Sequence, residues 1–391
     1  MNPSASGWIK KLLKICGNTS SLFKLSDDVL YKNLRSSGFI YGSNLYVIEH
    51  IIEKGDLTEE EICKINLCLA LLYTHKKANI ENDFVESVID FYNSINETKT
   101  SFFRILLSEK KTTEQLEKIF HKRIQIDTNI LTKNFKYFIV NALLFIDVLA
   151  YKHYLENKII STDYLTKIEA SIASISLNVL NSKAEKNQYD ESLIRLFESS
   201  LRYFNEETND YKHAISHINT SLEKQYMIDL ACMATWTDKV IDIQEQKFLI
   251  SLRKDLNLEK DILKESIITI NSFYTQNKNN IALLSSKNLV KSFYDNSSKM
   301  VTKLISRNRK RLYQELLDSK ELMVLLSQST VRELTKEEQK KVQDQLLDIF
   351  KSIPSLAIFM LPGGAILLPL VIKFIPKLLP SAFDENRIED D

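Results

Sequence analysis

Ile62 to Leu72 read ICKINLCLALL, with Ile62, Ile65, Leu69 and Leu72 three or four positions apart. That interval keeps side chains on one helix face, whereas strict alternation would mark a half-buried strand. Phe138, Leu143, Phe145 and Leu149 form a second apolar set of helical rhythm. Outward from these runs, no glycine occurs from 56 to 362 and no proline from 4 to 353. Strand turns, phosphate loops and nucleophile elbows all draw on glycine, so a stretch of about 300 residues without either breaker predicts an all-α fold. The common α/β enzyme classes are excluded on the same ground, and no enzyme is expected.

The chain has 391 residues, 44% hydrophobic and 26% charged, enough for a substantial core. Its 52 basic and 51 acidic side chains give no global basic field, so nucleic acid is not expected as a general partner. Cys16, Cys63, Cys68 and Cys232 form no CxxC pair and read as buried thiols in a reducing compartment. Asn-rich stretches at 93–101, 181–190, 205–210 and 277–280 are expected to be loops, because Asn accepts turn conformations and caps helices. The organisation read from these features is an amphipathic arm (1–29), a helical domain (30–205) and a second helical module (210–298). A basic lead-in (299–352), an apolar segment (353–383) and an acidic tail (384–391) follow.

In the arm, Trp8, Ile9, Leu12 and Leu13 alternate with Lys10, Lys11 and Lys14. No long apolar run and no small-residue cleavage site follows, so an export signal is not expected. Two settings remain open: a terminal helix docked through Trp8 and Leu12, or a short helix on an anionic membrane. His213 and His217 have zinc-compatible spacing, but Ala214 stands where a metalloprotease glutamate would follow.

Residues 227–258 read as a hydrophobic helix, an acidic turn with Asp238, Asp242 and Glu245, and a second helix through Phe248 and Leu249. Asp238, Ile241, Asp242, Glu245 and Phe248-Leu249 follow a pattern that resembles the tellurite-resistance TerB-like module, with Lys239 where that family has glycine. The resemblance implies a divalent-cation site, calcium for example, on Asp238, Asp242 and Glu245. Oxygen ligands suit such a hard cation. Asp242 and Glu245 also have the spacing of a capping box, which explains two of the three acids without a metal.

Leu356 to Ile372 are 17 consecutive uncharged residues. At 1.5 Å per residue the run reaches about 26 Å, just short of a hydrocarbon core of about 30 Å. Pro362, Pro369 and Pro376 are seven apart, Gly363 and Gly364 permit a bend, and Lys373 sits where a snorkelling lysine would mark an interface. A kinked span, a re-entrant hairpin and a helix pair buried in the protein's own core are all compatible, membrane insertion being the expectation. Lys299 to Arg311 hold six basic residues and no acid, while the tail from Asp384 holds five acids and one arginine. The charge bias puts residues 1–350 in the cytoplasm. The basic run suits anionic lipid, with RNA as the other candidate.

Leu334-Thr335 with Glu338, Asp348 with Lys351, Ile353-Pro354, Leu367-Leu368-Pro369, Lys373, Ile375-Pro376 and Leu379-Pro380-Ser381-Ala382-Phe383 together resemble the leucine-zipper/EF-hand-containing transmembrane protein family. With the TerB-like middle, the chain is similar to that family's bacterial biofilm-associated branch. The resemblance implies a membrane-anchored protein of the inner membrane with its bulk in the cytoplasm. Its implied context is ion homeostasis, envelope stress or biofilm and surface growth. Membrane lipid is the implied partner, with a second copy or another membrane protein engaged through the Pro-rich segment and the ribosome as a partner by resemblance alone. Ala365 stands where mitochondrial members carry a glutamate, which argues against a cation exchanger acting alone. The family's ribosome-binding domain, coiled coil and EF-hand are expected downstream of the apolar segment, where only eight residues follow Phe383. A cation-transporter subunit and a soluble scaffold or metal sensor remain as alternatives.

Overall fold

The computed structural model describes residues 1–17, 20–48, 57–97, 111–124, 143–158, 162–203, 211–235, 241–277, 289–353, 356, 359 and 367–379, and every regular element among them is a helix. Helices α1 (Trp8–Cys16) and α2 (Asp27–Ser36), with a 3-10 turn between them at Ser21–Lys24, lead into α3 (Glu59–Lys77), α4 (Phe84–Glu97), α5 (Thr113–Ile124) and α6 (Leu144–Asn157). The middle comprises α7 (Thr162–Ser182), α8 (Gln188–Tyr203), α9 (Tyr211–Ile215), α10 (Ser221–Thr235), α11 (Ile243–Asp255) and α12 (Lys260–Asn277). The C-terminal helices are α13 (Leu289–Arg307), α14 (Arg309–Leu317), α15 (Lys320–Gln328), α16 (Lys336–Ser352) and α17 (Leu368–Leu378).

Thr58 starts α3 through a capping box with Glu61, which satisfies N–H groups that have no partner inside the helix. From Glu61 to His75 every residue of α3 is buried, so its apolar stripe is part of a helix enclosed on all sides by α4, α5 and α6. Several buried polar groups on α3 have partners. Asn66 accepts from Ile48 N–H at 3.0 Å and donates to Asn44 at 3.2 Å, while Lys64 meets Glu60 at 2.7 Å. The arm docks: Trp8 and Leu12 are buried against α5, Trp8 lies 6.3 Å from the Phe120 ring, and Lys10, Lys11 and Lys14 face out.

α7 links the parts of the molecule, packing on α6, α8, α9, α10 and α11. α10 packs on α12, which reaches back to α2. At the turn after α2, Gly38 has φ +85°, and a Cβ there would overlap the Ser43 carbonyl and approach the Phe273 ring to 2.6 Å. Glycine is required at this close approach. α8 turns toward the C-terminal helices α13, α16 and α17.

Three Asn-rich stretches are more helical than expected. α4 continues through Asn93 to Glu97, α7 through Asn181, and α12 through Asn277, whose side chain donates to the Phe273 carbonyl at 2.8 Å. Packing outweighs the weak turn preference of Asn there.

The described part of the apolar segment includes α17. No helix among the described residues is long and apolar enough to cross a membrane. α17 has 11 residues, about 16 Å of rise. Pro369 lies in its first turn, where a missing N–H is harmless, and so marks a helix start instead of the middle of a span. Leu368, Leu370, Val371, Ile372 and Ile375 are buried, and the helix packs on α13, α8 and α15.

Candidate functional site

A groove of about 640 Å³ opens beside α17. α8 lines one wall with Ser192, Arg195, Leu196, Ser199 and Arg202, which recur at helical intervals and share a face. α17 lines the opposite part with Pro369, Leu370, Ile372, Lys373 and Lys377. The connection from Ser329 to Leu334 and the α13 residue Tyr294 complete it. Apolar groups are buried at its base: Leu334, Leu370 and Ile372. Cations stand above them.

Arg195, Arg202, Arg332, Lys373 and Lys377 face a single lining acid, Glu333. Arg202 pairs with Glu333 at 2.7 Å, and Arg332 grips both oxygens of Glu338 at 2.9 and 2.8 Å. Thr335 accepts from the Glu338 N–H while Glu338 reaches back to the Thr335 N–H, so one carboxylate serves as both cap and ion-pair partner. The Arg332 hydrogen bond leads the interactions that pull the Glu338 carboxyl down to about 2. Lys373 Nζ sits 3.2 Å from the Tyr294 hydroxyl and 6.0 Å from its ring centroid. Gln339 also lines the groove; its Nε2 donates to the Leu334 carbonyl at 2.8 Å.

Pro369 and Lys373, singled out from sequence, thus meet at this groove, and Pro376 lies inside α17. Pro354, Pro362, Gly363, Gly364 and Pro380 lie outside the described residues, as does Asp238. Arg195 and Arg202 escaped sequence reading; the available signal was two arginines seven apart on an amphipathic helix.

At the acidic turn, Asp242 Oδ1 accepts from the N–H groups of Gln244 at 2.7 Å and Glu245 at 2.8 Å. Its Oδ2 accepts from Ala184 N–H at 3.1 Å, and Glu245 Oε2 accepts from Asp242 N–H at 2.9 Å. The Glu245 N–H is the foremost of the donors that depress the Asp242 pKa. These carboxylates cap α11 and tie it to the α7–α8 connection. Among the described residues, no three His, Cys, Asp or Glu side chains are grouped as a metal would need. α9 stops at Ile215, so His213 and His217 do not share a helix, although their rings lie 5.8 Å apart.

Among the described residues, buried ion pairs also join separate helices of the chain. Arg123 binds Asp147 through Nε at 2.8 Å and an Nη at 2.9 Å, and Tyr92 donates to the same carboxylate at 2.9 Å. Arg35 meets Asp229 at 3.2 Å, with Tyr31 donating at 2.7 Å. Both aspartates are wholly enclosed.

Residues 334–391 match the family model described as LETM1-like, RBD. The LETM1-like stretch opens at Leu334, ahead of the apolar run, and takes in α16 and α17. The groove's Leu334, Gln339, Lys373 and Lys377 all belong to the LETM1-like stretch. No curated protein and no solved structure matches the chain.

Proposed function

We propose that this is a non-enzymatic, membrane-associated protein whose LETM1-like stretch is its working part, in ion homeostasis or a related envelope task. The observation that carries the reading is the family match over 334–391, which coincides with an apolar segment and a cationic groove. The finer placement is at the cytoplasmic face of the inner membrane, in the biofilm-associated branch. It rests on the charge bias from Lys299 to Arg311 and on the TerB-like pattern through Asp242 and Glu245. The non-enzymatic reading rests on the absence of a glycine-based phosphate loop or nucleophile elbow in the sequence.

Fractionation tests it. Cells expressing the full chain, and a chain stopped after Ser352, are lysed and the membranes washed with carbonate. Retention of the full chain alone makes residues 353–383 an integral anchor. Full release of both into the wash rejects anchoring by this segment.

A second reading, association with the ribosome, is favoured by the description of the matching family model and by the basic groove. Sedimentation of the full chain with ribosomes at low and high salt tests it. Phosphate contacts would be lost as salt rises, and a chain that stays at the top of the gradient at low salt rejects this reading.

A further inference from the structure

We propose that the groove between α8 and α17 holds the phosphate headgroup of an anionic phospholipid, so that this face of the folded body lies on the membrane surface. The inference rests on the membrane-associated reading and names the contact.

Three observations carry it. The first is charge: Arg195 and Arg202 on α8 and Lys373 and Lys377 on α17 border one groove with Glu333 as its lining acid. Arginine and lysine complement a phosphodiester, the first through paired donors and the second as a point charge. A guanidinium has five N–H donors, so the carboxylates beside Arg195 (Glu191, 3.8 Å), Arg202 and Arg332 leave donors for a phosphate.

The second is the base of the groove. Leu334, Pro369, Leu370 and Ile372 offer an apolar bed beneath the cations. A free phosphate has no use for it, whereas the glycerol and upper acyl carbons of a lipid do. The third is Val331, in the connection that rims the groove, which is 89% exposed beside Arg332. An aliphatic side chain held in water next to cations suits the boundary between headgroups and acyl chains. It offers nothing to a phosphate backbone.

Flotation of the full chain with vesicles is the test, using phosphatidylcholine alone and phosphatidylcholine mixed with phosphatidylglycerol. The chain is expected to float with the mixed vesicles only. The double variant Lys373→Gln/Lys377→Gln is expected to weaken that binding by about ten-fold or more, consistent with the attraction of each basic residue to an anionic surface. Lys377→Gln alone, at an exposed position, is expected to weaken it by a smaller factor. Val331→Ser is expected to reduce it without changing its salt dependence. Lys10→Gln/Lys11→Gln/Lys14→Gln, which discharges the rival basic face on α1, is expected to leave it unchanged.

Equal flotation with both vesicle types overturns the proposal, as does a loss seen only in the α1 variant. Displacement by glycerophosphate at matched phosphate concentration would assign the groove to free phosphate esters. Binding of single-stranded RNA that requires Lys373 and Lys377, without vesicle binding, would assign it to nucleic acid. Both results reject a lipid site. Circular dichroism of each variant separates lost binding from lost folding. Failure here with carbonate-resistant attachment intact removes the groove and leaves the anchored reading standing.

Discussion

Arg35 and Asp229 meet Nε to Oδ2 at 3.2 Å, both almost fully enclosed, and so join α2 to α10 across nearly 200 residues of chain. Arg35 also reaches Glu265 at 3.1 Å on α12, so one guanidinium ties three helices. Burial pushes the Asp229 carboxyl up, and the Arg35 charge opposes that shift. Breaking such a pair leaves an uncompensated charge in the core. Asp229→Asn is therefore expected to destabilise the fold by about 3–5 kcal/mol, read as a lower urea midpoint with an unchanged slope.

The pair of Arg123 and Asp147 behaves alike but adds a graded test. Arg123→Leu should cost about 3–5 kcal/mol, because Asp147 is then buried without its cation. Tyr92→Phe removes only the 2.9 Å hydroxyl donation to that carboxylate and should cost about 1.5–3 kcal/mol. The order of the two denaturation midpoints checks the assignment.

Docking of α1 depends on Glu117, whose oxygens accept from Gly7 N–H at 3.0 Å and Ile9 N–H at 2.9 Å. A carboxylate from another helix thus does the capping that Gly7 lacks a side chain to do. Glu117→Ala should cost about 1–2 kcal/mol and speed hydrogen exchange in α1 more than in α3.

Glu338 supplies a pH signature near the groove. Its folded pKa, about 2, lies below the usual glutamate value of 4.5, so the stabilisation it contributes is present above about pH 4.5 and is lost as pH falls through 2. Glu338→Gln should flatten this part of the acid limb of a stability-versus-pH curve. An acid limb identical to that of the parent chain would reject the assignment.

At the acidic turn, Asp242→Ala removes the α11 cap and should lower stability by about 1 kcal/mol. Calcium is expected to leave the thermal midpoint of both chains where it was, since the Asp242 oxygens are engaged by backbone N–H groups. A calcium-dependent rise in the parent chain, absent from Asp242→Asn, would restore a cation site there.

Much of the helical character is legible locally. A chain without breakers from 56 to 353, with Thr58 and Glu61, Asp242 and Glu245, and Thr335 and Glu338 at capping-box spacing, carries its helix starts in neighbouring residues. Docking of α1 through Trp8 and Leu12 was one of two settings that the sequence left open, and the packing of Trp8 on Phe120 of α5 decides it. Less was legible of the groove. Lys373 and Pro369 stood out in an apolar run, but nothing near them pointed to Arg195 or Arg202 on a helix far away in the chain.

Local spacing thus determined that this chain is helical and where several helices begin, since capping and periodicity act over a few residues. Whether the run after Leu356 crosses a membrane or covers a helix bundle is a different matter, because an apolar surface leaves water equally well in either setting. For the described part of that run, the choice lay with tertiary structure: α13, α8 and α15 present the faces that bury α17, and the same packing brings the cations of α8 and α17 to one groove.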